Sequence, residues 1–193
     1  MSKILKYING NLVEYEILPL VDYYDDILRQ PTIPYDFNTR KDAEYIAYSL
    51  AESMNHYGGL GLSANQIGLR DRVCAVNMGK ESWILFNPVI VEKSEIKCNY
   101  SEGCLSYPGL YLKIGRSNHI KVRFQAIGGQ LVEKEIDGLT AVCVQHEIDH
   151  LDGIRYTDLV SPIKLDQAKK KVKKMLKRMK QITVEDLEKM GMS

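Results

Sequence analysis

The run His146-Glu147-Ile148-Asp149-His150 constrains this chain more than any other feature. An α-helix turns about 100° per residue, so His150 lies about 40° around from His146 and Glu147 about 100° from it. All three face one side and Ile148 faces away. Two neutral imidazoles on one face can grip a divalent cation, and the carboxylate between them stands where it can move protons on a water held by that cation. A lone histidine is ordinarily a satisfied core or surface residue. The pair with its glutamate is a metal motif, and it needs at least one further ligand from elsewhere in the fold.

Cys143 is the nearest candidate. It lies three residues before His146 and about 60° from it in projection, so it faces the same side. It is also seven residues from His150, roughly 10.5 Å along the axis. A short side chain with a metal–sulfur bond of about 2.3 Å cannot easily share one ion with both histidines. Cys143 is therefore read as lining the cavity, the alternative being a small buried apolar residue. Cys104 is the better ligand. It sits in Glu102-Gly103-Cys104-Leu105-Ser106, between strand-like segments, where Gly103 permits close backbone approach. Cys74 and Cys98 receive no chemical role. A third segment, GLGLSANQ at 59–66, is glycine-rich but lacks the Lys-Ser/Thr of a phosphate-binding loop. It is either a helix stop and turn, or a loop that runs close to a ligand and ends in an amide donor.

At 193 residues the chain is read as one domain, 1–193. An apolar share of 45 % and a charged share of 26 % suit a soluble globular protein, and a net charge of +1 gives the chain as a whole no pull on nucleic acid. No run approaches membrane-spanning length, and the N-terminus carries neither a secretory nor a transit signature. The expectation is a cytoplasmic enzyme with reduced thiols and no membrane or DNA partner. Strands are predicted at 13–18, 73–76, 83–86, 89–91, 120–125 and 130–135. Helices are predicted at 40–56, capped by Asn38 or Thr39, at 138–151 with the motif, and at about 162–180 with Pro162 in its first turn. This order predicts an α+β fold of mixed, mainly antiparallel sheets packed around a central metal-binding helix, with an N-terminal and a C-terminal helix beside it.

Taken together and in order, GLGLSANQ, EGCLS at 102–106 and QHEIDH at 145–150 resemble the three motifs of peptide deformylases: Gly-apolar-Gly-apolar-Ala-Ala-x-Gln, Glu-Gly-Cys-Leu-Ser and Gln-His-Glu-x-Asp-His. The resemblance covers about residues 17–180. It includes the opening ILPLVDYYDDILRQPTIP, Asn87-Pro88 at a strand end, and HLDGIRYTDLVSPIK, as in forms with a C-terminal helix. It implies a hydrolase that removes the N-formyl group from the initiator methionine of nascent polypeptides and releases formate. It implies Cys104, His146 and His150 as ligands of one divalent ion with a water in the fourth position. Fe(II) is native to many members, and Zn, Ni or Co can occupy the same site; a thiolate and two imidazoles suit Fe(II) and Zn alike. Glu147 would carry a proton from the attacking water to the departing amine. The Gln66 amide and the Leu105 N–H would stabilise charge growing on the formyl oxygen. Substrate contacts fall at Leu60, Gly61, Glu102 and Gly103, with the methionine side chain in an apolar pocket near Leu60, Val142 and Cys143.

Three positions depart from the family pattern. Ser63 replaces the usual first Ala, Asn65 fills a position often taken by Pro, and Tyr111 stands where bacterial members often carry a substrate-contacting Arg. Ser63 and Asn65 are expected to leave activity intact and to bear on the fine geometry of the loop, and Tyr111 on substrate affinity or on preference beyond methionine. Asp149 and Arg116 match a pair that is often ion-paired in the family and would hold the motif helix in place. The last helix carries eight lysines and Arg178 between 164 and 180, with Asp166 the only acid among them. Such a run is usually a solvated face, but bacterial relatives dock a helix of this kind on the ribosome, so contact with ribosomal RNA is expected here. Ala168, Val172, Met175, Leu176 and Met179 form an apolar seam that could lie on the body. Two rivals share parts of the pattern. A zinc endopeptidase would take its third ligand downstream of the helix, and a metal-stabilised RNA-binding module would close its metal with four protein ligands.

Overall fold

The computed structural model describes residues 3–179 apart from 9 and 80; Lys180, placed above in the last helix, lies outside the described residues. The strands are β1 (Ile4–Ile8), β2 (Asn11–Tyr15), β3 (Gly61–Ser63), β4 (Val73–Asn77), β5 (Ser82–Lys93), β6 (Lys97–Cys104), β7 (Tyr107–Ser117), β8 (His119–Gln125) and β9 (Leu131–Asp137). The helices are α1 (Ala43–His56), α2 (Gly138–Leu151) and α3 (Pro162–Met179). An antiparallel sheet runs β3-β4-β5-β8-β9, and β1–β2 and β6–β7 form separate antiparallel pairs. The fold is α+β, as expected.

The layering follows from a short run in β4. Val73-Cys74-Ala75-Val76 is apolar at every position, and side chains alternate across a strand, so both faces need cover. Val73 and Ala75 pack with Ile46, Leu50 and Met54 of α1. Cys74 and Val76 pack with Ala141, Val144, Ile148 and Leu151 of α2. Those four α2 residues recur at helical spacing and form one stripe. Three β-branched residues in or beside it, Val142, Val144 and Ile148, are poor helix formers. Burial of each apolar side chain, worth about 1.5–3 kcal/mol, outweighs that preference. The sheet thus holds α2 by one face and leaves the opposite face for chemistry.

Three expectations need correction. Helix α1 begins at Ala43 rather than near 40, because Asp36 accepts from Asn38 N–H and Thr39 Oγ–H, each at 2.9 Å, and closes a turn there. Residues 83–86 and 89–91 belong to one strand, β5, interrupted by Asn87 at φ +50°. The β6–β7 pair extends much further than the strand-like flanks read from sequence. Its inward residues Leu110, Leu112 and Ile114 alternate with outward Tyr111, Lys113 and Gly115, a period of two hidden by Pro108 and the glycines.

Leu165, Ala168 and Val172 of α3 pack on Leu110, Leu112, Ile114 and Tyr156. Met175 and Leu176 remain about half exposed, so the described part of the expected seam is seated only at its N-terminal end. No helix among the described residues is long and apolar enough to cross a membrane.

Candidate active site

The second face of α2, with Cys143, His146, Glu147 and His150, is polar and borders a cavity beneath β3 and the β6–β7 pair; His146, Glu147 and His150 are buried and Cys143 half-buried. Cys104 ends β6 just after a register irregularity between Glu102 and Cys104, the kind of bulge that re-aims a side chain beside a functional site. Its Sγ lies 3.3 Å from His150 Nε2. The sulfur and one ring nitrogen from each histidine all lie within 4.8 Å of one another. Ligand bonds of about 2.0–2.3 Å in a tetrahedral array separate the donors by about 3.5 Å, so this set fits one divalent transition metal. His150 Nδ1 and Glu147 Oε2 are buried without a hydrogen-bond partner.

Among the described residues no fourth His, Cys or carboxylate joins the cluster. Its third donor lies upstream of the helix rather than downstream. Both facts disfavour the two rival readings. Cys143 stands outside the cluster, as its spacing requires, and lies beside Gly61. A Cβ at position 61 would come within 2.5 Å of Glu147 Oε1 and 2.7 Å of Cys143 Sγ. Only glycine lets the β3 backbone pass this close.

His146 is oriented from behind. Its Nδ1 lies 2.9 Å from Glu102 Oε2, which leaves Nε2 for the cluster. Arg116 donates to both oxygens of Glu102, at 2.8 and 3.0 Å, and also to Asp149. The Arg116–Asp149 pair agrees with the sequence expectation. Glu102, expected among the substrate contacts, borders the cavity, and Arg116 and His146 occupy both its carboxylate oxygens, so its side chain also positions a candidate ligand. A signal for this existed. Arg116 continues the inward parity of Leu110, Leu112 and Ile114, and a buried guanidinium requires acidic partners.

Burial opposes the charge on Glu102, yet hydrogen bonds from His146 and Arg116 hold its carboxyl below the ordinary range. Burial also opposes a charge on His146, but bonding to Cys104 and Glu102 pushes it up to about 10. Ligation needs the neutral ring, so a proton competes with a metal ion there. Burial drives His150 well down and keeps it neutral. Burial pushes Glu147 up to about 7, against the pull of His146 and the nearby Ser63 hydroxyl. A carboxyl in that range can both accept and return a proton near neutral pH.

Across the cavity the loop after β3 is held by neutral bonds. The Ser63 N–H and Oγ–H both donate to Gln66 Oε1, each at 2.9 Å. Gln66 Nε2 donates to Cys104 Sγ at 3.3 Å and to Ser106 Oγ at 3.1 Å. Asn65 Nδ2 donates to the His150 carbonyl at 2.6 Å and ties the loop to the last turn of α2. Two of the three departures from the family pattern thus have specific partners.

These walls enclose a cavity of about 430 Å³. All the expected pocket residues border it: Leu60, Gly61, Glu102, Gly103, Val142 and Cys143, together with Gln66, Leu105, His146 and Glu147. The Leu60 carbonyl already accepts from Asn77 N–H at 2.8 Å, which leaves it one lone pair. Tyr111 lies over Gly103, where a Cβ would meet its ring at 2.8 Å. A larger groove of about 940 Å³ runs along α3 between Tyr23, Tyr24 and the lysines 169, 173 and 177, and shares Leu105 and Pro108 with the smaller cavity. Among the described residues it holds no metal-ligating cluster, so the smaller cavity is the candidate site of chemistry.

Comparison with known proteins agrees with this geometry. A sequence model of the family described as polypeptide deformylase matches residues 17–166. The peptide deformylase of Mesorhizobium japonicum is 38 % identical over 168 residues, covering 83 % of this chain and 94 % of that protein. A peptide deformylase structure from Legionella pneumophila superposes with a TM-score of 0.76 at 30 % identity, over 87 % of this chain and 99 % of that one. The Met-Ala-Ser-bound class I type b peptide deformylase from Acinetobacter baumannii gives 0.71 at 29 % identity, over 75 % and 99 %. The matched span takes in all three motifs. The chain belongs to the polypeptide deformylase family, the metal-dependent hydrolases that remove the N-formyl group from the initiator methionine of nascent polypeptides.

Proposed function

We propose that Cys104, His146 and His150 hold one divalent metal ion, natively Fe(II), with Zn, Ni or Co able to take its place, and that formyl-amide hydrolysis occurs in the cavity beside them. The observation that carries this reading is the convergence of one sulfur and two ring nitrogens next to a buried Glu147 oxygen without a partner. An ion in that cluster would lower the pKa of water and polarise the formyl carbonyl. Glu147 accepts a proton at Oε2 as water attacks, then returns it to the departing amine nitrogen. The Gln66 Nε2–H and the Leu105 N–H donate to the formyl oxygen as negative charge grows on it. The backbone of Leu60 and Gly103 pairs with the peptide as an added strand, with Gly61 beside them. The methionine side chain enters the recess by Val142 and Cys143. Residues 1–193 act as one catalytic domain in the cytoplasm, and the lysines of α3 bring it to ribosomal RNA.

Anaerobic purification, metal analysis and a formate-release assay on formyl-Met-Ala-Ser test this. Formate release should follow metal content, disappear on chelation and return when a divalent ion is restored. Glu147→Gln should keep the metal and lose roughly 10²–10⁴ in kcat; full turnover in that variant would refute the role given to Glu147. Deleting 164–193 should leave formate release intact and weaken ribosome association at low salt. Unchanged association would remove the part assigned to α3.

A further inference from the structure

Ser63 is fully buried in the motif loop, and beyond the pull of its hydroxyl on Glu147 it has no task in the mechanism above. Its backbone N–H can only donate, so the Gln66 atom facing it at 2.9 Å must be the carbonyl oxygen, Oε1. That fixes which way round the carboxamide lies and turns its NH₂ towards Cys104 Sγ and Ser106 Oγ. Oε1 has no proton to give, so in its 2.9 Å contact with the Ser63 hydroxyl the hydroxyl is the donor; Glu147 is the other acceptor within reach of that proton. Two donors from one residue hold both the swing of the Gln66 side chain and the twist of its amide plane. Without the hydroxyl, Oε1 keeps one donor, and the amide plane rests on that bond and on the longer contacts of Nε2 with Cys104 Sγ and Ser106 Oγ.

We propose that Ser63 is a positioning residue for hydrolysis: its hydroxyl fixes which way round the Gln66 carboxamide lies, with Nε2 on the Cys104 side of the cavity, so that one N–H can pass from Cys104 Sγ to the oxygen of the formyl group. This rests on the role given to Gln66 above. The competing explanations are a bond from the same hydroxyl to Glu147, which would act through that carboxyl and not through Gln66, and a cap for the short 3-10 turn Ala64–Ile67, which begins directly after Ser63. A cap contributes to stability alone.

Ser63→Ala removes one hydroxyl and keeps the backbone bond. In the metal-loaded enzyme, kcat on formyl-Met-Ala-Ser should fall roughly threefold to tenfold, the range of one neutral hydrogen bond. KM should stay within about twofold and metal content should not change. Independently of turnover, ¹⁵N NMR should show the Gln66 side-chain NH₂ protons exchanging faster with solvent. In a Gln66→Ala background, Ser63→Ala should cost kcat nothing further, because the two residues act as a unit. An unchanged kcat with a lowered Tm would reduce Ser63 to a cap and overturn the proposal. Equal kcat losses in both backgrounds would overturn it too. A Gln66→Ala variant with undiminished kcat would instead remove the role of Gln66, a result separable from the failure of Ser63.

Discussion

Behind His146 the site is held by charge, and across the cavity, around Gln66, it is held by neutral hydrogen bonds. Glu102, Arg116 and Asp149 form a chain of ions in which the Glu102 and Arg116 side chains are only 5 % and 7 % exposed. Ser63, Asn65, Gln66 and Ser106 are also buried but carry no charge. Removing one member of a buried ion pair leaves an uncompensated charge, whereas a neutral donor or acceptor can be lost at lower cost. The charged wall therefore serves fold and metal together. The neutral wall can be altered one bond at a time, with the effect falling mainly on rate.

The largest effect should come where the walls meet. Cys104 lies against Gln66 on one side and His150 on the other. Cys104→Ala should lose the metal by elemental analysis and bring formate release to the uncatalysed background. Next is the neutral wall. Gln66→Ala should lower kcat roughly 10²–10³-fold while metal content holds and Tm falls by only a few degrees. Loss of metal in that variant would break the contrast. For the charged wall, Glu102→Ala should weaken metal affinity about 10–100-fold. It should also destabilise by about 3–5 kcal/mol, lowering Tm by roughly 6–20 °C, because Arg116 is left buried without its main partner. Replacing Glu102 and Arg116 together by methionine sharpens the test: stability should largely return and metal affinity should not. An unaltered Tm in Glu102→Ala would erase the distinction between the walls.

Much of this was legible in the sequence. The 138–151 helix has the bounds its spacing predicts, because the His146–His150 interval and the Ala141, Val144, Ile148, Leu151 stripe share one period. The three candidate ligands could be named because each sits in its own short motif. The partner of His146 could not. It depends on how β6 lies along β7, where Glu102 stands opposite Leu112 and Arg116 opposite Cys98, and no local pattern sets that offset. Ser63 was visible only as a departure from a family pattern. Its role depends on a turn that brings Gln66 back over it, three residues on. The late start of α1 was hidden for a similar reason: Asp36 attracts the donors of the two residues expected to act as caps.

Gly61 carries a consequence for how this cleft can diverge over time. A side chain at position 61 would strike Glu147 first, at 2.5 Å, so the floor along β3 is shut to variation. Exposed Tyr111 at the rim has room to vary, so differences in taste for substrates can accumulate at the entrance while the floor stays as it is.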